Sequence, residues 1–243
     1  MTPTELNNQQ LTGQEDSHLV MLADGHRLQN EAARAFEALQ EDARQAGFDL
    51  AIASSFRPFT RQLAIWNGKA SGARPVYDDQ GAEIALEQLS PSEQLHAILR
   101  FSALPGTSRH HWGTDVDVYD AAAVAPDYAV QLSVQEVEDG GVFDPLHRWL
   151  DIRMVAGESH GFYRPYHRDH GGVAPERWHL SYAPLSVTCA NRWSAEVLLS
   201  CWEGLADSEE LLLRAQIETD LPGIIARYVE VGADWCSSGG YQR

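Results

Sequence analysis

Apolar residues recur at Leu28, Ala32, Phe36, Leu39 and Ala43, the spacing of one helical face, and Gly47 closes the run. Leu50-Ala51-Ile52-Ala53 is a short apolar run that reads as a buried strand and leads into Ser54-Ser55-Phe56-Arg57-Pro58. Pro58 disfavours helix at Arg57, which places that arginine at a strand end or turn. A helix resumes near Thr60, with Leu63 and Trp66 on one side. Residues 71–89 read as a connecting excursion with a turn at Asp78-Asp79-Gln80-Gly81. Ser90-Pro91-Ser92-Glu93 has the N-cap, N1 and N3 residues of a helix start, and that helix carries Leu95, Ile98 and Leu99 towards a stop at Pro105-Gly106. From Thr114 to Tyr119 the pattern alternates, with Val116 and Val118 on one face and Asp115, Asp117 and Tyr119 on the other. Leu146, Trp149 and Leu150 mark a helix around 145–156, a Gly/His-rich loop follows, and Trp178–Tyr182 reads as a strand. Beyond about Asn191 the pattern is helical. Helices around a few short strands, without βαβ regularity, define an α+β chain.

The chain has 243 residues, enough for one domain with a small extension. Its 35 acidic against 18 basic residues argue against nucleic acid and anionic membrane surfaces as partners. Residues 1–17 are polar and read as a loose arm. The start of the chain shows neither the basic nor the apolar segment of an export signal. Cys189, Cys201 and Cys236 form no CxxC pair and lie in the last quarter of the chain, which favours buried small-residue roles over a disulfide framework. These features give the expectation of a cytoplasmic protein.

Three segments carry chemistry. A catalytic zinc site needs about three nitrogen or oxygen ligands and one open position. His110 can supply nitrogen, Asp117 oxygen, and His179 the third ligand. Glu176 precedes His179 by three residues, and Pro175 places it at the irregular start of the strand, where its carboxylate can reach the metal-bound water. A carboxylate there can move protons from water to the leaving amine, and Arg57 is the candidate for holding charge that develops on a carbonyl oxygen. His160, His167 and His170 form a second histidine group, read as a polar loop because no carboxylate or cysteine completes it at a familiar spacing.

These segments resemble the VanY-like D,D- and L,D-carboxypeptidases, in the wider group that includes lysostaphin-type peptidases and hedgehog. The family pattern S-x-x-R, S-x-H-x-x-G-x-x-x-D, E-x-W-H reads here as Ser54 to Arg57, Ser108 to Asp117 and Glu176 to His179, in order. The resemblance implies His110, Asp117 and His179 as ligands of one Zn2+, Glu176 as general base and Arg57 as the group that assists the carbonyl or the substrate carboxylate. Ser108, Gln62, Trp178 and Asp115 are the candidate substrate contacts. His111 beside a ligand position, and Asp115 two before the ligand aspartate, depart from the pattern. The implied fold is a small antiparallel sheet flanked by helices, as in hedgehog and the D,D-peptidases. The expected boundaries are a loose arm at 1–17, a peptidase domain at 18–190 and a helical C-terminal extension at 191–243 whose apolar stripes are core or a homodimer surface.

The expected function is removal of the terminal D-Ala from peptidoglycan tetrapeptide stems in muropeptide recycling. D,D-carboxypeptidase, peptidoglycan endopeptidase and a zinc-stabilised binding module remain as alternatives.

Overall fold

The computed structural model describes residues 5–205 and 210–231, so Cys236 lies outside the described residues. The helices are α1 (Asn8–Leu11), α2 (Asn30–Gln45), α3 (Phe59–Ala70), α4 (Pro91–Leu99), α5 (Val134–Val137), α6 (Asp144–Ala156), α7 (Ala183–Arg192), α8 (Ala195–Glu203), α9 (Arg214–Thr219) and α10 (Leu221–Tyr228). The strands are β1 (Leu19–Met21), β2 (Arg27–Gln29), β3 (Leu50–Ser54), β4 (Asp115–Asp120), β5 (Phe162–Tyr163) and β6 (His179–Tyr182). β1 and β2 form a hairpin, and the other four form an antiparallel sheet in the order β3-β4-β6-β5. This is the expected α+β arrangement.

The alternation read at 114–119 divides the sheet into two faces. Val116, Val118 and Leu180 join Leu50, Ile52 and Phe162 against the apolar stripes of α2 (Phe36, Leu39, Ala43) and α6 (Leu146, Leu150, Met154). The opposite face carries Asp115, Asp117, His179 and Ser181, with Asp117 paired to His179 and Asp115 to Ser181 across the ladder. A bulge between Ile52 and Ser54 brings Ser54 opposite Asp117, which turns the end of β3 towards that polar face.

A second core holds α3 and α4 against α8, α9 and α10 through Trp66, Ile98, Leu198, Trp202, Ile217 and Ile224. The apolar stripes of the C-terminal helices are therefore buried within the chain. Trp202 and Trp193 donate their indole N–H groups to the carbonyls of Pro105 and Gly106, each at 2.9 Å. These helices thus clamp the loop that delivers Ser108 and His110 to the sheet. Cys189 and Cys201 are free and buried, and burial raises their thiols to about 12 and about 11.

Three local expectations change. The polar segment read as a loose arm is pinned from Glu5 onward, because α1 is closed by an Asn7–Gln10 capping box and Leu11 packs with Leu6, Trp112 and Cys189. The helix begun at Ser90 has the expected capping box but ends at Leu99, short of Pro105-Gly106. Trp178 precedes β6 and does not belong to it. A loose arm would make Leu11→Ala neutral. The packed segment predicts a loss of about 2–5 kcal/mol, measured by urea unfolding.

Candidate active site

The polar face of the sheet is built from short segments that fix side chains from several directions. Arg109–Trp112 forms a single 3-10 turn ended by Gly113 at φ +67°. A Cβ at Gly113 would lie 2.2 Å from Leu19 Cδ2, so the glycine supplies both the left-handed turn and the room for the β1–β2 hairpin. This turn lowers His110 onto β4 beside Asp117. His110 Nε2 is 3.2 Å from Asp117 Oδ2, and His179 Nδ1 is 3.3 Å from Asp117 Oδ1.

Each histidine is held by its outer nitrogen. His110 Nδ1 donates to the Ser55 carbonyl at 3.0 Å, and His179 Nε2 donates to Asp115 Oδ1 at 2.9 Å. In the neutral rings these bonds would leave His110 Nε2 and His179 Nδ1, the nitrogens that face Asp117, with the lone pairs that metal ligation requires. One ligand atom from each of His110, Asp117 and His179 lies within 4.8 Å of the others, and all three residues are buried. Asp117 Oδ1 is buried without a hydrogen-bond partner. A tetrahedral site with bonds of about 2.0–2.2 Å has edges of roughly 3.3–3.6 Å, close to the two histidine–carboxylate separations. Asp115, Asp117 and Glu176 all converge on the His179 ring, so this face is arranged to hold positive charge at its centre. The donor set fits a divalent metal.

The electrostatics follow from burial among opposite charges. Burial would raise the Asp115 carboxyl, but Arg109 and the hydrogen bond from His179 bring it well below the usual carboxylate range. Burial likewise opposes ionisation of Asp117, and His110 with His179 overcomes it. For His179, burial favours the neutral ring, whereas the surrounding carboxylates of Asp115, Asp117 and Glu176 raise it well above the usual histidine range.

Glu176 sits in a turn, where the His179 N–H donates to its carbonyl at 3.1 Å and its own N–H donates to Tyr166. Its Oε2 is 3.4 Å from His179 Nδ1. Arg177 ties this turn to α6 through Asp144 and Asp151. Arg57 lies beyond the end of β3, with Nη2 3.9 Å from Asp117 Oδ2. It donates to Gln62 Oε1 at 3.0 Å and to Ser54 Oγ at 3.2 Å.

The candidate substrate contacts divide differently. Asp115 is fully buried and joins His179 to Arg109, so it orients the His179 ring and is closed off from solvent. Gln62 uses its amide to hold Arg57 and to donate to the Ala103 carbonyl at 2.7 Å. Trp178 is buried in an apolar cluster with Val137 and Phe143. Ser108 is buried at the head of the 3-10 turn, its carbonyl accepting from His111. His160 pairs with Asp42, and among the described residues His110, Asp117 and His179 are the one group able to hold a metal.

Residues outside the sequence expectation complete the site. Arg109, buried over the Trp112 ring at 4.8 Å, donates to Asp115, Ser181 and Tyr163. Tyr166 stands edge-on to His179 with ring centroids 5.1 Å apart, and burial raises its hydroxyl to about 12, which keeps the phenol protonated as a donor. His111, noted only as a departure from the family pattern, donates to the Arg57 carbonyl at 2.6 Å and accepts from the Gly106 N–H at 3.1 Å. Gly13 lies against its ring, where a Cβ would come within 2.3 Å of Nδ1.

The VanY family, described as D-alanyl-D-alanine carboxypeptidase, matches residues 25–185. The chain belongs to this family. An uncharacterized protein of Haemophilus influenzae is 47% identical over 104 residues, 41% of this chain and 71% of that protein. A second uncharacterized protein of the same organism is 30% identical over 128 residues, 52% of this chain and 92% of the relative. The solved structure of VanYB in complex with D-alanine-D-alanine shares the fold at a TM-score of 0.50 and 20% identity, over 85% of this chain and 91% of that one.

Two predictions follow from this geometry. Asp115→Asn keeps the shape of the support for His179 and removes its charge, so metal affinity falls about 10- to 100-fold in chelator competition. Unchanged affinity would assign Asp115 to the fold alone. Burial lowers His111 to about 3, against the opposing effect of its bond to the Arg57 carbonyl. Between about pH 6.5 and 3 the unfolded chain therefore binds a proton that the folded chain refuses. Stability is lost as pH falls through this window, by up to about 1.4 kcal/mol per pH unit from this group. His111→Gln flattens that part of the slope in urea unfolding of metal-free protein.

Proposed function

We propose that this chain is a zinc-dependent L,D-carboxypeptidase that removes the terminal D-alanine from tetrapeptide stems of peptidoglycan. One observation carries the reading: Glu176 and Arg57 converge on the buried His110–Asp117–His179 triad from opposite ends of the sheet's polar face. A binding module needs neither a base nor an anion holder beside its metal.

His110, Asp117 and His179 would hold the zinc. When bound, zinc supplies acidification of water and polarisation of the scissile carbonyl. Glu176 takes a proton from the attacking water and passes it to the leaving D-alanine amine. Arg57, held by Gln62 and Ser54, faces the carbonyl oxygen as it gains negative charge. Burial lowers the Arg57 guanidinium, and the charges of Asp117 and Glu176 draw it back up, so its electrostatic effect is exerted in a poorly screened setting. The protonated Tyr166 phenol is a further donor beside His179.

The reading places the enzyme in the cytoplasm, acting on recovered muropeptides. The free thiols of Cys189 and Cys201 suit a reducing compartment. There, cleavage of D-Ala-D-Ala ends would destroy wall precursors, whereas trimming a tetrapeptide leaves a reusable stem. That argument favours the L,D bond.

Mass spectrometry of defined stems incubated with zinc-loaded protein tests the proposal. Wild type removes one D-alanine from tetrapeptide, and Glu176→Ala lowers turnover about 10²- to 10⁴-fold while retaining zinc. Release only from pentapeptide would replace L,D by D,D specificity. Internal cleavage would indicate an endopeptidase, and no cleavage with zinc bound would indicate a binding module.

A further inference from the structure

Lys69 is the chain's one lysine, set among 17 arginines and 35 acidic residues. Despite the acid excess, it forms no ion pair among the described residues. Its hydrogen bond goes instead to the Ser102 hydroxyl at 2.7 Å. An ammonium has three donors, and a partly buried cation without a counter-ion is costly.

Its place on α3 ties it to the catalytic groups. Gln62, Trp66 and Lys69 stand at i, i+4 and i+7 on one helical face. Gln62 holds Arg57 and donates to Ala103, while Lys69 reaches the adjacent Ser102. The charge of Glu176 acts on Lys69, as do those of Arg57 and Arg74. Arg74 folds back along Gly68, where a Cβ would meet its Cδ at 2.9 Å. Arg61 and Arg74 also lack ion-pair partners among the described residues. In a strongly acidic protein the charge of Glu176 thus acts on two cations, Arg57 and Lys69, with Arg61 acting on Arg57 and Arg74 on Lys69, a local field that attracts an anionic peptide.

Building on the carboxypeptidase reading, we propose that Lys69 and Ser102 form a carboxylate-recognition subsite beside the catalytic centre. The ammonium donates to a substrate carboxylate, with the Ser102 hydroxyl holding its direction. A stem peptide offers such a group at its C-terminus and, where the third residue carries one, on a side chain. Lys69 touches neither the metal-ligand positions nor the scissile bond, so its effect falls on substrate binding.

The single lysine gives a direct test. Reductive methylation with 13C-formaldehyde places one side-chain dimethylammonium signal in the spectrum, besides the terminal α-amine, and preserves the charge. Zinc-loaded protein is titrated with N-acetyl-D-alanine and its carboxamide. A second arm uses amidated stem tripeptides with either a side-chain carboxylate or lysine at the third position. A saturable shift of the Lys69 signal with N-acetyl-D-alanine but not its amide supports the terminal carboxylate as ligand. A shift only with the side-chain carboxylate supports the other source. A signal that no carboxylate moves overturns the proposal.

In kinetics, Lys69→Met raises KM roughly 10- to 100-fold for the stem bearing the recognised group with kcat little changed, and Lys69→Arg recovers part of the loss. Unaltered KM on every stem that the wild type cuts also overturns it. If carboxylates move the Lys69 signal but the wild type cuts no stem, the subsite stands and the carboxypeptidase reading falls. If stems are trimmed while the signal stays still, only the subsite falls.

Discussion

The antiparallel register between β4 and β6 sets Asp117 opposite His179, and the rest of the site depends on that pairing. Directly opposed residues share a face of the sheet, so one ladder position presents a carboxylate and an imidazole together. The neighbouring position sets Asp115 against Ser181, which supplies the group that orients the imidazole. A slip of one residue would exchange Asp117 for Val116 or Val118 on this face. Burial of Val116, Val118 and Leu180 against α2 and α6 resists that slip, and the hydrophobic core thereby fixes the geometry of the polar face.

Behind the candidate ligands lies a layer of buried polar contacts. Arg109 and Asp115 form a fully buried ion pair, an arrangement that is weak evidence for stability because desolvation offsets much of the Coulomb attraction. Its value here is directional. Asp115 holds the outer nitrogen of His179, Arg109 fixes Asp115, and Ser181 with Tyr163 fixes Arg109. Ser55 gives His110 the equivalent support. On the other flank, His111 and Gln62 secure Arg57 by its carbonyl and its guanidinium. The C-terminal helices contribute from further away, clamping the 105–106 loop through Trp193 and Trp202.

The elements that place the site are legible in the sequence wherever one physical rule dominates. Alternation at 114–119 revealed both faces of β4, Pro175 revealed the irregular start that frees Glu176, and Ser90 with Glu93 revealed a capped helix. Residues whose role depends on register were not legible. Asp115 reads as a neighbour of a ligand until Ser181 and His179 are known to lie across from it, and only then does it become the support for His179. The burial of Leu11 is invisible in a polar segment, since its partners Trp112 and Cys189 are distant in sequence. Gln62 and Trp178 belong to recognisable motifs, yet a motif does not say whether a side chain points to substrate, to another side chain or to the core. The two-residue strand β5 is too short for periodicity to show.

The central claim is an open metal site in which His110, Asp117 and His179 are the protein ligands. X-ray absorption at the zinc edge of the loaded protein tests it most directly. The account predicts scattering from two imidazoles and additional light oxygen donors, with one imidazole lost in His179→Ala and an oxygen position that exchanges with added small anions. A shell without imidazole, or one closed by four protein ligands that no anion perturbs, would contradict it.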